Sequence, residues 1–143
     1  MGEKITDCAC MSLRKSARLI AQFYDLKLQP SGLRATQFTL LGTLKGLGPI
    51  SITNLANAMG MSRTTLTRNI KILEKSGLTS AEQGKEDARI RMLLLTEEGL
   101  AAFQEAYPYW EAAQSSFLNK FGRQNWNMLN EELGGINIAL AAS

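Results

Sequence analysis

The sequence predicts a mainly α-helical protein with one small β-hairpin, and three observations lead there. Apolar residues recur at helical spacing through most of the chain. Glycines and prolines fall between the periodic segments and punctuate them. A single stretch after Gly77 departs from the helical period and reads as two short strands around a polar loop. With 143 residues, 45% of them hydrophobic, the chain suits one compact domain or one protomer of an oligomer.

In chain order, Leu13, Ala17, Ile20, Tyr24 and Leu28 define an amphipathic helix over about residues 8–28, ended by Pro30-Ser31-Gly32. A second helix is expected over 35–47, with Phe38, Leu41 and Leu44 on one face and Gly46, Gly48 and Pro49 breaking it. Ser51 is a plausible N-cap for a short helix to Met59, and Gly60 closes it. Ser62 then caps a longer helix through Lys75, closed by Gly77. Strands follow at 78–83 and 89–95, joined by the polar loop 84–88. Thr96, with Glu97 and Glu98 in the first turn, starts a helix reaching about Lys120, with a bend expected at Pro108. After Gly122, the residues Trp126, Leu129, Leu133, Ile136 and Leu140 form the stripe of a last helix, weakened locally by Gly134-Gly135.

Composition excludes several function classes. The absence of histidine removes Ser-His and Cys-His catalytic pairs and histidine-based metal sites, and no P-loop or dinucleotide fingerprint is present. The expectation is a protein that is not an enzyme and carries no cofactor. No apolar run approaches the roughly 18 residues of a membrane span, and the start lacks the apolar stretch of a signal peptide, so a cytoplasmic protein without membrane contact is expected. The net charge of +3 conceals an asymmetry. Residues 1–91 hold 14 Lys/Arg against 7 Asp/Glu, whereas residues 92–143 hold 2 against 6. One part of the molecule is thereby suited to a polyanion and the other is not.

Residues 51–76 carry the functional signal: a helix, a tight turn and a second helix. In the second helix Leu66, Ile70 and Leu73 share the inward face, while Arg63, Thr67 and Lys71 share the outer one, flanked by Thr64 and Arg68. Cations neutralise phosphates or read guanine edges, and threonine bonds a base or phosphate and offers a methyl group to thymine. Ala56 is small where the two helices must approach. This is the pattern of a recognition helix for the major groove of double-stranded DNA; its bland counterpart is a solvated helix face. The hairpin strengthens the first reading, because residues 62–91 hold seven cations and four acids. A basic hairpin after a recognition helix is a wing whose tip can enter a minor groove. Asp87, two residues before Arg89, suggests a carboxylate that directs a guanidinium.

These pieces together resemble the multiple antibiotic resistance regulator (MarR) family of winged helix-turn-helix proteins over nearly the whole chain. The resemblance rests on Gln37-Phe38-Thr39-Leu40-Leu41, Leu55-Ala56, Thr64-Thr65-Leu66-Thr67-Arg68, Leu73-Glu74-Lys75-Ser76-Gly77-Leu78, Asp87-Ala88-Arg89 and Leu95-Thr96-Glu97-Glu98-Gly99. It implies a homodimer that binds a pseudo-palindromic operator, usually as a repressor, with Arg89 the wing-tip arginine and Asp87 its orienter. Residues 62–71 would form the base-reading helix, which makes Ser62, Arg63, Thr64, Thr65, Thr67, Arg68 and Lys71 the DNA-contacting set. The whole chain, 1–143, is then a single domain, with a DNA-binding lobe at 33–95 and a dimerisation lobe from 1–32 and 96–143. The apolar stripes of the terminal helices fit this lobe; Trp110, Phe117, Phe121, Trp126, Leu133 and Leu140 are its candidate interface residues. A winged-helix module that serves only protein–protein assembly is the alternative.

Two features bear on a releasing signal. Cys8 and Cys10 are open to three readings: packing thiols, a redox switch, or an incomplete thiolate metal site. In an intact helix, positions i and i+2 point about 200° apart, which keeps the two thiols from pairing. Organic-peroxide sensors of the resembled family place a reactive cysteine near the start of the first helix, served by tyrosines. Cys10 and Tyr24 are similarly spaced, but Arg34-Ala35-Thr36 stands where the second tyrosine would be. Other members of the family respond to small aromatic acids in a cleft between the lobes, where Arg14, Arg18 and Arg34 are candidates to pair with a carboxylate.

Overall fold

The computed structural model describes residues 4–141. Its elements are α1 (Ala9–Leu28), α2 (Ala35–Leu47), β1 (Ile50–Ser51), α3 (Ile52–Met59), α4 (Arg63–Lys75), β2 (Thr79–Gln83), β3 (Arg91–Leu95), α5 (Glu97–Phe121) and α6 (Arg123–Ala141). The helix boundaries follow capping chemistry. The Ser51, Ser62 and Thr96 hydroxyls accept the backbone N–H of Asn54, Thr65 and Gly99, satisfying donors that the first turn leaves unpaired. Gly60 ends α3 at φ 66°, a left-handed conformation that costs a glycine little.

Leu66, Ile70 and Leu73 of α4 are all buried, as their spacing requires, and they join Phe38, Leu40, Leu41 and Leu44 of α2, Leu55 and Ala56 of α3, and Leu93 of β3. Helix α5 completes this core. Phe38 stacks on Phe103 at 4.7 Å and on Trp110 at 5.7 Å between ring centroids. Trp110, half-buried, thus packs against the core of its own protomer. Helix α5 also continues through Pro108 without interruption.

The sheet differs from expectation in two respects. It has three antiparallel strands in the order β1-β3-β2, where the sequence predicts two. Strand β1 pairs Ile50 with Leu93 and Ser51 with Met92, and two residues are too few to show an alternating pattern. The third strand matters because it stitches the start of α3 to the wing. The second difference is that β3 begins at Arg91 instead of Arg89, extending the loop to residues 84–90. The cause is local: the Arg89 N–H is taken by the Asp87 carboxylate at 3.0 Å and cannot join a ladder.

The wing is fixed to the rest of the molecule at its base. Thr96 donates its hydroxyl to the Gly77 carbonyl at 2.7 Å, and its N–H reaches the Leu78 carbonyl at 3.2 Å. A Cβ on Gly99 would lie 2.0 Å from that same Leu78 oxygen, so only glycine lets α5 start this close to the hairpin. The Thr96 hydroxyl and N–H and the missing Cβ of Gly99 together let α5 start against the base of the wing.

Candidate nucleic-acid interface

Helix α4 presents its outer face beside the wing, and a cleft of about 410 Å³ lies between them. Arg63, Thr67, Lys71 and Glu74 line its helical wall, Arg89 and Arg91 line its wing wall, and the α3 start at Ser51 contributes its rim. Around the other side of α4, Thr64 and Arg68 flank Arg63, Thr67 and Lys71 in a second, more open concavity. One helix therefore supplies hydroxyls and cations to two adjoining surfaces. Its amino-terminal end, where backbone N–H groups point outward, belongs to the same face.

Ser62 and Thr65 are exposed at the start of α4, outside both concavities, and are engaged with each other. The Ser62 Oγ accepts the Thr65 N–H at 3.1 Å and donates to the Thr65 Oγ1 at 2.9 Å. Their first task is to hold the α4 start, which leaves Arg63, Thr64, Thr67, Arg68 and Lys71 as the outward-facing groups of the expected set.

At the wing tip, the Arg89 guanidinium makes a two-pronged contact with Asp87: Nε to Oδ1 at 3.1 Å and Nη2 to Oδ2 at 3.0 Å. With the backbone bond to Oδ1, one carboxylate fixes both the loop and the side chain. Arg89 nonetheless remains 89% exposed, so it is held in direction while staying available to a ligand. The guanidinium and the Arg89 N–H hold the Asp87 carboxyl below the usual carboxylate range. Sequence spacing anticipates this pair. It gives no hint of the other one, Arg91 Nη2 to Glu74 Oε1 at 3.2 Å, which joins β3 to α4 across 17 residues of chain.

The remaining candidates lie elsewhere. Arg14 and Arg18 are exposed on α1 and Arg34 is exposed at the start of α2; none of them forms an ion pair among the described residues. Cys10 is exposed and Cys8 is half-buried. Cys8 is the N-cap of α1, with φ −74° and ψ 117°, so it lies outside the regular helix. Opposite directions of the two thiols are imposed only by a continuous helix through both, and α1 begins at Ala9, so the expected bar to pairing is absent at this junction. Tyr24 donates its hydroxyl to Gln114 of α5, and burial pushes its pKa up. Fourteen residues of α-helix separate it from Cys10 by about 21 Å, so Tyr24 cannot serve the Cys10 of its own chain. Cys8 and Cys10 have no companions for a metal, since no group of three or more His, Cys, Asp or Glu fits one among the described residues.

A helix-turn-helix whose second helix faces outward beside a basic wing defines a winged helix-turn-helix DNA-binding protein. The sequence pattern of the MarR family matches residues 33–90, which span α2 to the wing tip. The chain is similar to the HTH-type transcriptional regulator YwoH of Bacillus subtilis, at 34% identity over 93 residues, covering 65% of this chain and 67% of that protein. Its structure is similar to the crystal structure of the Mycobacterium tuberculosis transcriptional regulator MosR in complex with DNA. That match has a TM-score of 0.85 and 35% identity, covering 95% of this chain and 98% of the other. The MarR-family regulator AbsC of Streptomyces coelicolor shares the fold, with a TM-score of 0.82 and 24% identity over 100% of this chain and 99% of its own. The chain belongs to the MarR family: it is a DNA-binding transcription regulator and not an enzyme. No helix among the described residues is long and apolar enough to cross a membrane.

Proposed function

We propose that this regulator binds a pseudo-palindromic operator as a homodimer, acts as a repressor, and is released by a chemical signal. The observation that carries the reading is the continuous basic surface formed by the outer face of α4 and the wing. In this reading Arg63, Thr64, Thr67, Arg68 and Lys71 approach base edges and phosphates in the major groove. Ser62 and Thr65 set the start of α4 against the backbone, and Asp87 aims Arg89 at the neighbouring minor groove. MosR, similar over nearly its whole length, was crystallised with DNA, which supports the assignment.

The dimer is supported by what the terminal helices leave uncovered. Leu13, Leu19 and Phe23 of α1, Phe117 and Phe121 of α5, and Trp126 and Leu129 of α6 line an open apolar groove. A second subunit is the natural cover for such a surface. It would also set two recognition helices one turn of DNA apart.

For the signal, the N-cap position of Cys8 favours a redox reading. An organic peroxide oxidises the exposed Cys10 thiolate to a sulfenic acid and leaves as the alcohol. The Cys8 thiol then condenses with the sulfenate, forming a disulfide and expelling water. The new bond strains the start of α1 and alters the spacing of the paired lobes.

Operator duplex selected from a random pool by the native protein tests these statements together. Binding should be salt-dependent, and Arg89→Ala should weaken it while leaving the protein folded. Arg68→Ala and Thr64→Ala should each reduce discrimination by about 1–3 kcal/mol if they touch bases. An absence of salt-dependent DNA binding would favour a protein–protein assembly module instead. Release by peroxide should occur in the native protein and be lost in Cys10→Ser. Binding that ignores peroxide throughout would turn attention to small aromatic acids and to Arg14, Arg18 and Arg34.

A further inference from the structure

The cleft between α4 and the wing contains a group that a phosphate-binding surface does not need. Glu74 is the single carboxylate among the residues lining it, surrounded by Arg63, Lys71, Arg89 and Arg91. Its carboxylate pairs with Arg91 Nη2 at 3.2 Å, and its side chain is 26% exposed while that of Arg91 is 70% exposed. A pair this open to solvent adds little to folding. Its position, in the concavity where the sugar–phosphate backbone would run, gives it a larger electrostatic consequence than a structural one.

We propose that Glu74 limits the sequence-independent part of DNA binding by holding Arg91 out of phosphate contact. The inference rests on the DNA-binding reading above and adds to it a residue that works against affinity. The two wing arginines differ in a way that supports it. Asp87 reaches Arg89 from two residues away within the same loop, so the guanidinium is steered but stays at the tip. Glu74 reaches Arg91 from a different element and ties it to α4. While Arg91 stays with Glu74 it neutralises no phosphate and releases no counterion, and the carboxylate beside it repels the phosphates. Freeing that cation adds one phosphate contact, which steepens the logarithmic salt dependence by about 0.9 on duplex DNA. Glu74 therefore sets how hard the surface grips any duplex, and with it how readily a signal can release the protein.

The test uses fluorescence anisotropy of a labelled random-sequence duplex, titrated from about 50 to about 200 mM salt. It compares the native protein with Glu74→Gln, Arg91→Gln and the double variant. Glu74→Gln should bind several-fold tighter with a salt slope steeper by about 0.9. Arg91→Gln should bind more weakly, because an unpaired carboxylate then faces the phosphates. The double variant should return to the native slope and affinity, an outcome that loss of a structural tie would not produce. An unchanged slope in Glu74→Gln would overturn the inference. So would a double variant that follows Arg91→Gln, since Arg91 would then contact DNA despite Glu74. If the native protein itself shows no salt-dependent binding, the DNA-binding reading has failed first, and the two failures are told apart by that one control.

Discussion

The two ends of the chain treat their apolar residues differently from its middle. Between Leu33 and Leu93, leucines with Phe38, Ala56 and Ile70 close a core with almost no exposure; Leu40, Leu41, Leu55 and Leu66 are each 0% exposed. Helix α6 has no buried residue at all, and α1 has only Leu28. Yet α6 is rich in large apolar side chains, among them Met128, Leu129, Ile136 and Ile138, all exposed. Hydrophobic content is therefore a poor guide to where a chain is self-sufficient. The winged region folds its apolar surface onto itself, while the terminal helices present theirs outward, which is economical only if a second surface covers it.

The largest expected effect lies in the closed region. Leu66→Ala should cost about 2–5 kcal/mol, because α4 would lose its anchor and leave a cavity that the neighbouring leucines cannot fill. Urea unfolding measures it, and a loss near zero would mean that the core is looser than its burial indicates. The next test addresses the open region. Leu129→Glu, placed in the apolar groove, should convert a species of about twice the 15.7 kDa chain mass into single chains in sedimentation, with helical content largely kept. Self-association unaffected by that charge would remove the groove from any dimer interface.

A smaller effect is expected at the wing tip, where Asp87 gains its order from Arg89. Its carboxyl is held below the usual range, so the contact is complete above the ordinary aspartate range. It is lost as pH falls through the lowered value. Wing-tip amide resonances should therefore stay put at mildly acidic pH and shift only below the point where free aspartates protonate. In Asp87→Asn they should lose that transition altogether. The smallest effect concerns Thr79 at the base of β2, which is 3% exposed and whose hydroxyl has no hydrogen-bond partner among the described residues. Thr79→Val should be neutral or stabilising by about 1 kcal/mol in thermal unfolding. A clear loss would reveal a partner for that hydroxyl.

What the sequence by itself determined was most of what nearby residues govern, the late start of β3 at Arg91 being a local exception. Helix boundaries were legible because a capping hydroxyl and the N–H it receives lie three residues apart. The inward face of α4 was legible because Leu66, Ile70 and Leu73 repeat at the helical period, and the Asp87–Arg89 pair because its partners are two residues apart. The tertiary structure decided what depends on distant segments meeting. Strand β1 exists only because β3 arrives beside Ile50 and Ser51. Trp110 turned inward because Phe38 of α2 offers it a stacking partner. Glu74 and Arg91, 17 residues apart and on different elements, carry no shared pattern that a reader of the chain would find. Short-range chemistry leaves a periodic trace in sequence. Long-range contact depends on how whole elements pack, and a single residue's identity does not encode its neighbour across the fold.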